Sequence, residues 1–105
     1  MHKMTASIPH RLTREEARRR IQSEIATLRK QHGQMLHGVN ETWTGDRLDF
    51  SMSAMGQSIA GNLEVGDHAV DIEIELPWLL AMLAGPVKQR VEREGRLLLS
   101  GPAKT

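Results

Sequence analysis

The residues that could carry chemistry in this chain are few, and their spacing argues against most of what they could do. The histidines His2, His10, His32, His37 and His68 form neither an HxxxH nor an HExxH pattern, and no acid stands at a spacing that completes a facial triad. No metal or cofactor is expected. With no cysteine there is no disulfide, no thiolate chemistry and no cysteine-based metal site. Asp71, Glu73 and Glu75 alternate along one segment and read as a solubilising strand face. Gly56, Gly61 and Gly66 recur without the strand–turn–helix context or the lysine of a phosphate loop. Ser51, Ser53 and Ser58 have no histidine and acid beside them in the pattern. No catalytic residue is expected, and the chain reads as a non-enzyme.

Two other groups could act by contact. Arg11, Arg14, Arg18, Arg19 and Arg20 cluster at the start of the first helix, with Arg14, Arg18 and Arg19 as candidates for an anionic surface or phosphates. No aromatic platform for base stacking is interleaved with them, which argues against nucleic acid as a partner. Trp78 to Ala84 is apolar on every helical face. Either the Gly85-Pro86 step tucks this segment into the core, or Trp78, Leu79, Met82 and Leu83 form an interface with a surface, a partner or a second subunit.

The elements that position these groups are legible. Thr13-Arg14-Glu15-Glu16 is a capping box, and Ala17, Ile21, Ile25 and Leu28 follow as one apolar stripe. That predicts a helix ending near His32-Gly33, with Gly33 at C′. Met4–Ile8 precedes it as a strand ended by Pro9. Met35–Trp43 is a further strand candidate in which Val39, Glu41 and Trp43 share a face, although Glu41 fits an inward face poorly. Then Leu48, Phe50 and Met52, next Ile59, Gly61, Leu63 and Val65, and finally Val70, Ile72, Ile74 and Leu76 alternate with polar residues. Turns at Gly45-Asp46, Gly56-Gln57 and Gly66-Asp67 separate them. Gly61 inside a strand predicts a bulge or a close approach by another segment. Pro86 can serve as N1 of a last helix carrying Val87, Val91 and Leu98. The predicted fold is α+β: one antiparallel sheet of about five strands in β-α-β-β-β-β-α order, with both helices on its apolar face.

The 105 residues make a single domain, with the core over about 4–99 and a flexible tail at 100–105. The net charge of +1 hides a segregation, with basic flanks around an acidic middle in which Arg47 stands alone against eight acids between residues 34 and 85. The plainest reading is intramolecular complementarity. No secretory leader is expected, and the apolar run from Leu76 to Val87 is far short of the ~20 residues of a membrane span. These features suit a cytoplasmic protein.

Ile8-Pro9-His10, the Arg-rich helix with Glu15-Glu16-Ala17, Trp43 and Gly45-Asp46-Arg47-Leu48, Ser53-Ala54-Met55-Gly56, Gly61-Asn62-Leu63 and Leu76-Pro77-Trp78, taken in order, resemble the small polyhydroxyalkanoic acid system proteins of bacteria. The resemblance implies a non-enzymatic role in polyester storage, at the granule surface or with a granule protein. It also implies a shape like a reduced helix-grip, START-like fold. Three functions follow as expectations: an accessory protein acting by granule, partner or self-association; a module holding an acyl or hydroxyacyl ligand against Leu48, Phe50, Met52, Ile59, Leu63, Ile72 and Ile74; and an anionic-surface or nucleic-acid binder.

Overall fold

The computed structural model describes residues 2–32, 36–54 and 56–100. Strand β1 (His2–Pro9) leads into helix α1 (Arg14–His32). Strands β2 (Leu36–Thr44), β3 (Arg47–Ala54), β4 (Gln57–Val65) and β5 (Ala69–Leu76) follow, then a 3-10 helix (Trp78–Leu83) and helix α2 (Ala84–Leu99). The expected element order and α+β class hold. The strands form one antiparallel sheet in the order β1-β5-β4-β3-β2. Consecutive hairpins build β2 to β5, and β1 adds to the far edge beside β5. Helix α1 therefore carries the chain from one edge of the sheet to the other.

The period-two pattern sets the faces. Ile8 lies opposite Val70, Ala6 opposite Ile72 and Met4 opposite Ile74. Ile72 in turn faces Leu63, and Leu63 faces Leu48, which faces Trp43. One face is thus apolar across all five strands, and Lys3, Asp71, Glu73, Glu64, Arg47 and Asp49 occupy the other. Helix α1 starts as its capping box predicts, with the Thr13 hydroxyl accepting the Glu16 amide proton at 3.1 Å. Its stripe is buried at Ala17 and Ile21, half-buried at Ile25 and open at Leu28. The expected Gly33 C′ residue, the start of the second strand at Met35 and the tail beyond Ser100 fall outside the described residues.

Two glycines set how closely segments approach. A Cβ at Gly61 would stand 2.7 Å from Phe50 Cζ and would also overlap the Glu73 carbonyl oxygen. The expected close approach is the Phe50 ring lying across its cross-strand partner. At Gly95, a Cβ would overlap Ile8 Cδ1, so the missing side chain brings α2 directly against β1. The 3-10 helix and α2 depart from expectation. Gly85-Pro86 neither breaks the chain nor starts the last helix, because α2 already begins at Ala84. Proline is accommodated in the first turn because the amides there have no intrahelical acceptor.

Candidate functional site

The core is a buried cluster with a hollow beside it. Ile8, Leu12, Ala17, Ile21, Leu48, Leu63, Val65, Val70 and Leu99 form a contiguous buried cluster. Ile25, Phe50, Ile72, Val91 and Leu98 pack against it but remain only half-buried. They border a cavity of about 290 Å³ between the sheet, the C-terminal half of α1 and α2. Leu48, Phe50, Met52, Leu63, Ile72 and Ile74 line it, as expected for a ligand pocket, and Ile59 does not. Ile25, Leu28, Val39, Val91 and Leu98 line it too. Their helical and strand spacing marked them as core, and nothing in that spacing separates a filled core from a hollow one.

The polar groups at this cavity are Glu24, Arg29, Glu41 and Glu94. Glu41 sits on the apolar face because its register pairs it with Phe50. The Arg29 guanidinium on α1 reaches it, with Nη1 3.8 Å from Glu41 Oε1. That is an ion pair longer than a hydrogen bond. A half-buried carboxylate on an apolar face is tolerated when a cation and solvent share its charge.

The second candidate is the 3-10 helix, none of whose residues is buried. Trp78 is 77% exposed, Met82 83%, Leu79 51% and Leu83 40%. The alternative in which Gly85-Pro86 tucks this segment into the core is therefore overturned. Leu80 and Ala81 are half-buried, and the other four residues lie exposed. The 3-10 geometry, three residues per turn and short, leads straight into α2.

Arg14, Arg18, Arg19 and Arg20 of the arginine cluster all bond to other groups of the chain. Arg14 donates through Nε to Asp67 Oδ1 at 2.6 Å and through Nη1 to Asp46 Oδ2 at 3.3 Å. Arg18 donates to the Gly45 carbonyl at 3.3 Å and to Asp46 at 3.4 Å. Arg19 folds back onto Glu16. Arg20 donates to the carbonyls of Leu98 at 3.1 Å and Ser100 at 2.8 Å, binding the C-terminal end of α2, where a cation is favoured. The basic helix thus holds two acidic hairpin turns and its neighbouring helix. These bonds accord with intramolecular complementarity. The Arg14 guanidinium, through its hydrogen bond and then its charge, holds the Asp67 carboxyl below the usual carboxylate range, and Asp67 raises Arg14 in return. Lys3 likewise lowers Glu73, from 2.7 Å.

His10, unplaced by sequence pattern, is buried where β1 meets α1. Its Nδ1 accepts the Leu12 amide proton at 3.1 Å, and Nε2 lies 2.9 Å from the Gly66 carbonyl oxygen. With Nδ1 an acceptor, Nε2 is the protonated nitrogen that donates to Gly66. Both nitrogens are used, which gives this histidine a structural role.

Arg47, Asn62, Glu64, Asp71 and Glu73 of the open face, together with Lys88 of α2, border a wide groove of about 630 Å³. Its charges are paired in part, Arg47 with Glu64 at 3.1 Å and with Asp49 at 3.3 Å. Among the described residues, no group of three histidines or acids could hold a metal ion. No described helix is long and apolar enough to cross a membrane.

The fold and cavity define a small single-sheet α+β protein with two helices over one apolar face. Residues 5–99 match the family model of the polyhydroxyalkanoic acid system proteins, and the chain belongs to that family. Among solved structures it is similar to the crystal structure of TTHA0849 from Thermus thermophilus. The identity is 12% and the TM-score 0.37, over 93% of this chain and 92% of that one. A comparison with curated protein sequences finds no significant match.

Proposed function

We propose that this chain is a non-enzymatic, cytoplasmic accessory protein of the polyhydroxyalkanoate system that docks on the polyester granule through its 3-10 helix. The observation that carries this is the exposure of Trp78, Leu79, Met82 and Leu83 together on one six-residue segment. A large apolar side chain contributes roughly 1.5–3 kcal/mol when fully buried. A granule surface covering about half of Trp78 and of Met82 would supply about 1.5–3 kcal/mol in all. Membership of the polyhydroxyalkanoic acid system family supports polyester as the surface.

The test is Met82→Asp. Met82 is the most exposed of the four, so the substitution should leave the circular dichroism spectrum and unfolding midpoint unchanged. Co-sedimentation with polyester particles should fall severalfold or more. A second copy of the chain could cover the same turn, and the solution mass by light scattering separates the two. If particle binding persists while the mass drops, the segment is a subunit interface and granule docking is refuted. If neither changes, the segment has no docking role.

A further inference from the structure

The geometry points to a second, independent site: the cavity under α1 and α2 binds a hydroxyacyl ester, with its chain inside and its uncharged head beside Arg29 and Glu41. The volume sets the chain. At the ~30 Å³ that a water-sized group occupies in a liquid, about 290 Å³ accommodates roughly nine or ten carbon-sized groups. That is near the lower end of ligand pockets in general. The lining sets the chemistry of the chain, since Ile25, Phe50, Met52, Ile74, Val91 and Leu98 offer no hydrogen-bonding side chain.

The charged lining sets the head. Among the lining residues, Glu24, Glu41 and Glu94 supply three carboxylates, and Arg29, beside Glu41, supplies one guanidinium. A fatty-acid carboxylate placed there would meet a net negative lining, and like charges disfavour it. An uncharged head meets a matched pair instead. The Glu41 carboxylate accepts from a hydroxyl, and the Arg29 guanidinium donates to an ester carbonyl. Their own 3.8 Å separation leaves that capacity open. This site shares no residue with the 3-10 helix, so it can fail or hold without reference to granule docking.

Titrating the full-length protein with methyl 3-hydroxydecanoate, sodium decanoate and methyl 3-hydroxybutanoate, followed by NMR, tests the inference. The neutral ten-carbon ester should shift the resonances of Ile25, Phe50, Ile74 and Val91, and bind at least tenfold more tightly than decanoate at neutral pH. The four-carbon ester should bind far more weakly. Glu41→Gln should narrow the preference over decanoate severalfold by removing one negative charge. Met52→Trp should block the ester, and Ile74→Phe provides a second blocking variant if that one does not fold. Equal or tighter binding of decanoate overturns the head assignment. Shifts confined to residues 78–83, or no binding of the ten-carbon ester, overturn the site.

Discussion

Gly61→Ala tests whether the sheet and the cavity are mechanically linked. The added Cβ would stand 2.7 Å from Phe50 Cζ, about 0.8 Å inside the ~3.5 Å at which carbon atoms stop repelling. The same atom overlaps the Glu73 carbonyl oxygen on β5, and that backbone is fixed by pairing with both β4 and β1. The ring can retreat, because Phe50 borders the cavity, but the carbonyl cannot move without disturbing the ladder. Overpacking of this kind costs about 1–3 kcal/mol. In a domain of this size that lowers the thermal midpoint by roughly 5–20 °C. The discriminating measurement is a double-mutant cycle with Phe50→Leu, read by urea denaturation. Removing the ring relieves one of the two clashes, so Gly61→Ala should cost less in the Phe50→Leu background but should still destabilise. Strict additivity would show that Phe50 does not bear on Gly61. A Gly61→Ala protein as stable as the parent would refute the close approach altogether.

Two further predictions concern the ties that hold the frame. His10→Ala should destabilise the fold by about 1–3 kcal/mol in urea denaturation, because it strands the Leu12 amide and the Gly66 carbonyl; a loss within the ±0.5 kcal/mol of a neutral surface change would show that water replaces the ring. Arg14→Gln should return the Asp67 carboxyl toward its ordinary range in a pH titration followed by NMR. A carboxyl depressed in the folded state contributes stability above its unfolded value near 4, and that contribution is lost as pH falls through the folded value. The parent should therefore lose more stability than Arg14→Gln on acidification below about pH 4; equal losses would show that the Arg14–Asp67 bond does not form in solution.

Much of the frame was readable because each strand obeys one rule at a time. The alternation from Leu48 to Leu76 sets faces, and the three glycine turns set antiparallel order. The capping box at Thr13 fixed where α1 begins. What escaped depends on pairs distant in the chain. Gly95 in α2 looks like a weak helix residue until Ile8 is found against it. Glu41 looks misplaced on an inward face until Arg29 is found across from it. His10 has no motif, because its partners are the backbone groups of Leu12 and Gly66. Gly85-Pro86 read as a break, since residue type alone does not reveal that both fall in the first helical turn. Periodicity named most of the cavity wall and could not reveal the void, because a residue facing a gap and one facing a neighbour have the same spacing.

The cavity runs between those same pairs, since Ile8, Gly95, Arg29 and Glu41 all line it. Gly95 lets α2 settle onto Ile8 at the β1 edge, and Arg20 fastens the end of α2 to α1. Ile8, Leu48 and Val70 are the largest of the fully buried side chains, and they line the cavity as well. Toward β2 the covering element is the second half of α1, and its contact there includes the Arg29–Glu41 pair. Taking both charges out of water would cost several kcal/mol per ion, which their attraction repays only with ideal geometry. The pair keeps part of its solvent, with both side chains only partly covered. Ile25 and Leu28 line the space beside it, as Phe50 and Met52 do. A small core can thus stay folded around an apolar chamber whose one ion pair, Arg29 with Glu41, stands where α1 passes over β2.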